Sequence, residues 1–555
     1  MSGQAAPGEP LRTPEDFPVT WEEPEDEGRF WFWDQMHHPK PVTPAAMAFS
    51  GSAFTEGIRR ANAALYMPLQ KSIVRRFNCY LYMGGVPATT EAHETAARAE
   101  RMMGIMRERS PNALSNWENI YLPQVKALNQ RLREYSYSEA SAKELASFLD
   151  EVSEIRTEAW EIHFLALYPV MGAALQFATI YEDTFGHPEN NEHYRILQGF
   201  PNKSVEAGQA LYDLAREAKT DPGVAETIRE TPAEAVFGAL ERTARGKEIA
   251  QKLRDYLEQY GWRADNFDVI NVSWREEPAP AVHNLRGYLR DQATDPRVEQ
   301  AKAAEERERL VAEMLEQAPD HARRNELQLL ASLAQQYLPV QEDHNFYIDQ
   351  MNTVLLRLPL LEMGRRLLRA GVLDAIEDVF YLTLSEMQEA GVDSAGKWRP
   401  LVKERRAERE HWAKVVPPLF LGTQPPADAP RQATLERFFG FGHEPSGDPK
   451  VITGHGASKG VVSGRAKVVR TLAESDKLEP GDVLVCEMTM PSWTPLFSLV
   501  SAVVSDSGGV LSHCAIVARE YGIPCVVGTL VGTQRLRDGQ VVTVDGARGV
   551  VRVEG

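Results

Sequence analysis

The stretch SDSGGVLSHCAIVAREYGIPCVVGT, residues 505–529, decides the fold of the C-terminal part of this chain. A Val-rich segment that ends near Val504 precedes it, and a second Val-rich segment closes it. Between them two glycines permit a tight turn, Ser512 occupies a typical helix N-cap position, and residues 513–521 have the composition of a short helix. The pattern predicts a strand, a glycine turn, a helix that begins at His513 and another strand.

His513 therefore lies where a helix begins. Gly508 and Gly509 let the backbone approach a phosphate closely, and the N–H groups of a first helical turn attract anions. A neutral imidazole nitrogen is nucleophilic near pH 7, and the N–P bond that it forms is labile enough to pass the phosphoryl group onward. An isolated Ser-His pair after glycines is more often a structural helix cap, so the surrounding motif must decide between the two interpretations.

The rest of the chain divides into segments of different composition. Residues 451–555 are short Val-rich runs between Gly, Asp and Pro turns, which predicts a small α/β domain. Residues 45–422 have the three- and four-residue apolar spacing of helices, which predicts a large, mostly α-helical domain. Residues 423–450 are rich in Pro, Gly and Asp and are expected to form a linker, and the acidic, Pro-rich residues 1–44 are expected to form an N-terminal arm.

Composition limits the class of partner. A chain of 555 residues is too long for one compact core, so several domains are expected. The formal charge of −18 repels nucleic-acid backbones and anionic lipid, so neither nucleic acid nor a membrane is expected as a partner. No uninterrupted apolar run reaches membrane-spanning length, and no secretion signal is recognisable in the sequence.

Four cysteines lie far apart in the sequence without a CxxC pair or a His-Cys cluster: Cys79, Cys486, Cys514 and Cys525. This spacing indicates neither a disulfide framework nor a zinc site, so no metal-ligating residues are predicted, and contact of this chain with Mg²⁺ stays open. A reducing cytoplasm is the expected location.

The run Gly-Gly-x-x-Ser-His-x-Ala-Ile-x-Ala-Arg followed by Gly-Ile-Pro resembles the phosphohistidine signature of the phosphoenolpyruvate (PEP)-utilising family. The segments 490–497, MPSWTPLF, and 456–469, GASKGVVSGRAKVV, also resemble elements of that family's swivelling domain. The sequence departs from the family pattern at Lys459, Ser507 and Cys514, and none of these changes removes the histidine. The resemblance implies that His513 is the phosphorylated catalytic residue. It also implies a phosphate-binding set, namely Gly508, Gly509, Ser512 and Arg519.

The helical part carries a weaker resemblance. Residues 39–44, PKPVTP, and residues 360–387 are similar to segments of the substrate domain of rifampin phosphotransferase-like proteins. An organisation without an ATP-grasp domain resembles phenylphosphate synthase-like dikinase subunits instead. These resemblances imply that ATP and Mg²⁺ bind a separate ATP-grasp subunit, and that the acceptor is a small, phenolic aromatic hydroxyl compound.

An acceptor pocket for an aromatic substrate should combine apolar walls with a few titratable groups. The best mixtures of this kind lie near the arm and at residues 342–352, EDHNFYIDQMN. We expect His344 to act as the base for the acceptor hydroxyl, with Asp349 as a second catalytic candidate. The expected substrate-binding residues are Trp33, His37, His38 and Asp343.

Two other functions remain open at this point. A PEP synthase-like subunit would use the same phosphohistidine chemistry on pyruvate. A non-catalytic phosphocarrier or regulatory protein would use the phosphohistidine as a signal, and it would need no closed apolar pocket.

Overall fold

The computed structural model of this chain describes residues 8–186, 188, 191–290, 294–391, 396–425, 435–441 and 445–554. The chain forms two compact units that are discontinuous in sequence. Unit 1 contains Met1–Pro169, Asn266–Asn271 and Tyr347–Ala429. Unit 2 contains Val170–Asp265, Val272–Phe346 and Pro430–Gly555.

Unit 1 combines helices with a small sheet. Its α-helices are α1 Ala53–Leu65, α2 Ala92–Arg109, α3 Ala113–Asn116, α4 Leu122–Arg133, the first part of α5 Ala142–Phe185, α14 Thr353–Arg369, α15 Leu384–Ala390 and α16 Trp398–Trp412. Short π- or 3₁₀-helical turns lie at Met47–Ser52, Ser110–Asn112, Trp117–Tyr121 and Ile376–Tyr381, and a π-helical segment at Asn345–Asn352 crosses the boundary between the units. Its strands are β1 Phe30–Trp33, β2 Leu69–Phe77, β3 Tyr80–Pro87 and β4 Phe420–Gly422.

The four strands of unit 1 form a sheet in the order β2-β3-β1-β4, which the sequence did not predict. The β2–β3 hairpin turns at Asn78 and Cys79, both of which have positive φ. Two successive left-handed residues are typical of a tight hairpin turn, and asparagine tolerates this conformation better than most residues. The sheet brings Phe30–Trp33, which we expected in an arm, into a core in which Trp31 is fully buried.

Unit 2 contains a helical part and an α/β part. The α-helices of the helical part are the end of α5, α6 Lys203–Lys219, α7 Pro222–Glu230, α8 Val236–Leu240, α9 Ala244–Tyr260, α10 Ala279–Tyr288, α11 Pro296–Glu316, α12 His321–Ala334 and α13 Tyr337–His344. 3₁₀ turns lie at Glu192–Leu197 and Ala233–Ala235.

The α/β part of unit 2 is built on an eight-stranded sheet with the order β5-β12-β11-β7-β8-β9-β10-β6. The strands are β5 Val451–Thr453, β6 His455–Ser458, β7 Val461–Val468, β8 Val483–Cys486, β9 Ala502–Ser505, β10 Cys525–Val527, β11 Val541–Asp545 and β12 Val550–Val553. The helices are α17 His513–Glu520 and α18 Gly532–Arg535, with 3₁₀ turns at Leu472–Lys477 and Pro491–Ser498 and a π-helical turn at Leu435–Phe439. Strands β7 to β10 run parallel, so the turn that follows β9 lies at the carboxyl edge of the parallel strands.

The predicted fold class is confirmed, because a mostly helical chain ends in a small α/β domain. The predicted domain boundaries follow the order of the sequence, whereas the compact units do not, and the boundaries stay a prediction. Part of the predicted linker 423–450, namely residues 426–434 and 442–444, lies outside the described residues. Within the described part, Phe438 and Phe441 are buried, so this portion is packed against protein.

Helix α5 is long and apolar enough to cross a membrane, as judged by length and composition alone. Half of its most apolar 18-residue window is buried inside the protein. Core helices of water-soluble proteins meet the same criterion, so the helix is weak evidence for a membrane span. The expected absence of a membrane partner stays a prediction.

Candidate active site

His513 is the first residue of helix α17, as the sequence predicted. The chain leaves strand β9 at Ser505, turns at Gly508 with a φ of +93°, and enters the helix after Ser512. A Cβ atom at Gly508 would lie 2.8 Å from the Ser512 Oγ atom. Both the backbone conformation and the available space therefore require glycine at this position.

The imidazole of His513 contacts a buried carboxylate. Its Nδ1 atom lies 3.1 Å from the Oε1 atom of Glu342, which is on helix α13. The His513 side chain is 10% exposed and the Glu342 side chain 3%. An ionised carboxylate can only accept hydrogen bonds, so Nδ1 carries the proton and the lone pair is on Nε2. The contact thus selects the tautomer whose nucleophilic nitrogen is Nε2.

Glu342 is held in its ionised form. Burial by itself raises the pKa of Glu342, but the His513 ring and the hydroxyl of Ser204 outweigh this effect and lower its pKa below the usual value. The Ser204 Oγ–H group donates to Glu342 Oε2 over 2.6 Å. Ser204 lies in the first turn of helix α6, whose positive end also favours a negative charge. Glu342 is therefore a fixed anion beside His513.

The other ring nitrogen faces a hydroxyl group. The Thr494 Oγ1 atom lies 3.5 Å from His513 Nε2, at the limit of a hydrogen bond. Thr494 is the threonine of the MPSWTPLF segment. The hydroxyl is close enough to contact a group bound to Nε2.

The loop before His513 is braced by backbone and side-chain hydrogen bonds. The N–H groups of Gly509 and Leu511 donate to the carbonyls of Phe438 and Arg437, and the Tyr337 hydroxyl donates to the Leu511 carbonyl. These contacts hold the glycine turn in one shape. They also place the backbone of Arg437 and Phe438 against the loop.

Arg519 also stabilises this loop. Its guanidinium donates to the carbonyls of Val510 and Ala457, and it is 5% exposed. Burial lowers the pKa of Arg519 to about 10. Arg519 thus positions the loop in this structure, and direct contact with phosphate stays a prediction.

Ser512 has the backbone conformation of an N-cap, but its side chain makes no cap hydrogen bond. Its Oγ atom is buried and has no hydrogen-bond partner among the described residues. The first N–H groups of any helix also lack partners within that helix. This end of α17 therefore presents unused donors next to His513, which is the arrangement that an anion requires.

Two of the predicted acceptor-site residues, Asp343 and His344, lie in unit 2 and form hydrogen bonds with backbone groups. Asp343 Oδ1 accepts the N–H of Lys203 over 2.9 Å and so caps helix α6. His344 Nδ1 donates to the Val340 carbonyl over 2.9 Å, and the His344 ring lies near enough to Glu342 to lower the pKa of that carboxyl. His344 thus lies close to Glu342, and its role as a base stays a prediction.

The predicted residues near the arm cluster in unit 1. His37 Nδ1 donates to Asp34 Oδ1 over 2.8 Å, and the Trp33 indole donates to the His38 carbonyl. Burial lowers the pKa of His37, but the charge and hydrogen bond of Asp34 outweigh it and raise that pKa. Burial dominates at His38 and lowers its pKa. The ring of Phe267 lies against both histidines.

Asp349 also lies in unit 1, where it accepts a hydrogen bond from His163 Nδ1 over 3.1 Å. The charges of Asp349 and Arg156 both act on the His37 ring. Arg156 is 1% exposed and donates to the Asn352 side chain, and burial lowers its pKa to about 10. Unit 1 therefore gathers Asp349, His37 and His38 into one polar cluster with aromatic neighbours.

Glu342, Ser204 and Thr494 belong to this site but were not predicted from the sequence. Glu342 begins the segment 342–352 that was considered for the acceptor, but a carboxylate on a helix is usually solvated. Its partner His513 is 171 residues away, and no local pattern reveals such a contact. Thr494 lies in the MPSWTPLF segment, and the resemblance of that segment to the family could have indicated it.

Two regions of the chain match known families. Residues 478–549 match the family described as PEP-utilising enzyme, mobile domain. Residues 163–342 match the family described as rifampicin phosphotransferase fourth domain.

Similar proteins cover nearly the whole chain. The chondramide synthase cmdD of Chondromyces crocatus is 36% identical over 98% of this chain and 14% of its own length. The uncharacterized phosphotransferase YvkC of Bacillus subtilis is 29% identical over 95% of this chain and 62% of its own length. The rifampicin phosphotransferase of Bacillus subtilis is 26% identical over 94% of this chain and 58% of its own length. This chain thus spans less than two thirds of each of these relatives.

Proposed function

Because this chain belongs to the PEP-utilising, rifampicin phosphotransferase-like enzyme family, we propose that it is a dikinase-type phosphotransferase subunit that relays a phosphoryl group through His513. The observation that carries the proposal is the pairing of His513 Nδ1 with the Glu342 carboxylate at the end of a glycine loop. The pairing leaves Nε2 as the nucleophile, beside unused hydrogen-bond donors.

In the first step, the Nε2 lone pair attacks a phosphorus atom derived from ATP. The P–N bond forms while the P–O bond to the leaving group breaks, and that oxygen keeps the bonding electrons. The ring now carries a positive charge with the proton still on Nδ1, and the Glu342 carboxylate stabilises that charge. No proton has to leave the imidazole in this step.

In the second step, the acceptor oxygen attacks the phosphorus. The P–N bond breaks and its electron pair returns to Nε2, which restores the neutral imidazole. The acceptor hydroxyl loses its proton to a base, for which we propose His344, with Asp349 as the second candidate. The Ser512 hydroxyl and the first N–H groups of α17 would hold the phosphoryl oxygens, and Gly508 and Gly509, which have no side chains, would let the phosphoryl group approach the backbone.

ATP and Mg²⁺ would bind a separate ATP-grasp subunit. Glu342 is the carboxylate in hydrogen-bond contact with His513 among the described residues, and it is already bonded to Ser204 and His513. A single engaged carboxylate suits Mg²⁺ poorly, so we place the ion with the ATP phosphates. The α/β domain would leave its docked position to collect the phosphoryl group. We expect this relay to operate in the cytoplasm.

The acceptor would be a small phenol. The cluster of unit 1 supports this class, since it combines aromatic rings with imidazoles and carboxylates around His37 and His38. An aromatic acceptor needs an apolar wall, and its hydroxyl needs a hydrogen-bonding partner. Several relatives are named for rifampicin, so that compound belongs in any acceptor panel.

The test uses this chain alone, after its His513 has been phosphorylated chemically and without the proposed ATP-grasp subunit. Potassium phosphoramidate phosphorylates histidines chemically, so the wild-type chain and His513→Ala can both be treated and then freed of reagent. A panel of phenols, rifampicin and pyruvate is added, and ³¹P NMR follows the products. We expect an aryl phosphate from the wild-type chain alone. Transfer to pyruvate would favour a PEP synthase-like subunit instead, and a loaded His513 that discharges to no acceptor would favour a phosphocarrier.

A further inference from the structure

Arg263 is a buried cation whose nitrogens are not fully used. It follows helix α9 in unit 2, and its residue exposure is 2%. Its Nε and Nη2 atoms have no hydrogen-bond partner among the described residues. These two nitrogens form the side of the guanidinium that donates two parallel hydrogen bonds to one carboxylate or phosphate.

The neighbour of Arg263 has an unused donor as well. The Trp274 N–H donates to the Arg263 carbonyl over 2.9 Å, and the Trp274 indole Nε1 is buried without a partner among the described residues. All three unused atoms are donors, and none is an acceptor. Such a set calls for a group with several acceptor oxygens.

The carboxylates around Arg263 are engaged by other groups. Glu342 and Glu206 act on its charge. Glu206 is bonded by the Lys203 ammonium over 2.6 Å and by the Tyr260 hydroxyl over 2.8 Å. Glu342 is bonded by Ser204 and His513. The central carbon of the guanidinium lies 5.1 Å from the centroid of the Phe346 ring, so an aromatic face is among its neighbours.

We infer that Arg263 is a phosphoryl-binding residue, whose Nε–H and Nη2–H groups bind two oxygens of the phosphoryl group when phosphorylated His513 docks against Glu342. This inference rests on the proposed function. It adds a positive charge that balances the phosphoryl group, for which neither proposed transfer step names a cation. The phosphoryl group brings negative charge next to the Glu342 carboxylate, and that repulsion would expel the domain unless a cation offsets it. Arg263 is a buried cation on whose pKa the charge of Glu342 acts, and its Nε and Nη2 atoms are unpartnered among the described residues.

The same chemistry fits two sources of phosphoryl oxygens. The ligand of Arg263 is either the group bound to His513 or a free phosphate ion. The first source requires phosphorylation of His513, whereas the second requires only the ion. Separate arms of one experiment distinguish them.

The experiment measures hydrogen exchange of helix α13, which carries Glu342, by mass spectrometry. The full chain is measured unloaded, after loading of His513 with phosphoramidate, and unloaded with added inorganic phosphate. The variants are Arg263→Gln, Arg263→Lys and the control Arg254→Gln. Arg254 also lies over a phenylalanine ring, but it is exposed and paired with Glu241. Circular dichroism and thermal unfolding show which variants fold. If Arg263→Gln does not fold, the comparison uses Arg263→Lys instead.

We expect phosphorylation of His513 to slow the hydrogen exchange of α13 about fivefold in the wild type and in Arg254→Gln. The reason is that the α/β domain should bind α13 more tightly and protect its amides. In Arg263→Gln, loading should accelerate the same exchange, since the repulsion by Glu342 is no longer offset. Arg263→Lys should lie between them, because it keeps the charge without the fork. A purely structural role of Arg263 would shift the loaded and unloaded chains equally.

Each other outcome decides something. Slower exchange with free phosphate in the wild type but not in Arg263→Gln would assign the site to the ion. The same response to loading in the wild type and Arg263→Gln would overturn the inference. If His513 of the wild-type chain cannot be phosphorylated, the proposed function fails. The experiment with inorganic phosphate then tests Arg263 by itself. If inorganic phosphate does not change the exchange of α13, the phosphoryl-binding role of Arg263 fails as well.

Discussion

At the scale of single residues, the contact between His513 and Glu342 is central to the proposed relay. The carboxylate fixes which nitrogen carries the proton, and it stabilises the positive ring that exists while phosphorus is bound. A hydrogen bond to a charged group contributes about 1.5–3 kcal/mol, which corresponds to roughly 10- to 100-fold in rate if it strengthens in the transition state.

The substitution Glu342→Gln tests this contribution. An amide keeps the shape but loses the charge, so we expect loading and discharge of His513 to slow about 10- to 100-fold. Rates from phosphoramidate loading and phenol discharge measure the effect. The matched control is Glu326→Gln, which changes an exposed glutamate of helix α12 paired with Arg323. Equal rates in the two variants would remove Glu342 from the mechanism.

At the scale of elements, the glycine turn and helix α17 form one preorganised piece. Hydrogen bonds from Gly509, Leu511 and Tyr337 fix the turn, and Arg519 ties it to the carbonyl of Ala457 in strand β6. A site held in this way loses little energy to reorganisation when the phosphoryl group arrives.

Gly508→Ala should disrupt this piece. The added Cβ meets Ser512 Oγ at 2.8 Å in a left-handed conformation, so we expect about 1–3 kcal/mol of destabilisation and a large loss of loading. Gly522→Ala is the control at the other end of α17. Gly522 is also left-handed at a φ of +63°, but its added Cβ meets nothing within 4 Å. Thermal unfolding and loading are measured for both, and equal losses would mean that the contact with Ser512 is unimportant.

The end of α17 makes stability depend on pH. Burial, with the nearby charge of Glu342, raises the pKa of Glu520 from 4.5 to about 8. The folded chain therefore binds more protons at this group than the unfolded chain between about pH 4.5 and 8. Stability from this group is complete below that window and falls as the pH rises through it.

Glu520→Gln should remove that loss. We expect the variant to exceed the wild type in stability at pH 8 by on the order of 1–2 kcal/mol, after discounting for water at this partly exposed group. At pH 4.5 the two should unfold alike. Thermal unfolding from pH 4.5 to 9 measures this, with the exposed Glu479→Gln as control. A parallel pH profile for Glu520→Gln and the wild type would contradict the assignment.

At the scale of the whole molecule, the α/β domain is docked on helices of its own compact unit. Asp476 accepts from His283 over 2.6 Å and from Arg286 over 3.2 Å, and Lys459 pairs with Glu192 over 2.7 Å. In each pair one side chain, Asp476 or Lys459, is about half exposed, which weakens the pair, and a domain held by such contacts can be released. The docked arrangement is therefore compatible with the proposed movement of this domain.

The sequence predicted what local patterns determine. The turn at Gly508 and the helix that begins at His513 follow from neighbouring residues, and the structure contains both. The sheet of unit 1 was missed because β1 pairs with β4, nearly 400 residues along the chain, as the register of Trp31 with Leu421 shows. Glu342 was missed for the same reason, since only the fold brings it to His513. Composition predicts a linker at residues 423–450 but says nothing of its packing, and only the fold shows that Phe438 and Phe441 within it are buried.

The most direct test of the central claim is site-mapped mass spectrometry of the chain after incubation with ATP, Mg²⁺ and an ATP-grasp subunit at neutral to alkaline pH. We expect one acid-labile phosphate on the wild-type chain, located on the peptide that contains His513, and none on His513→Ala. Labelling of His513→Ala to the same extent, or a phosphate mapped elsewhere while the His513 peptide stays unmodified, would contradict the account.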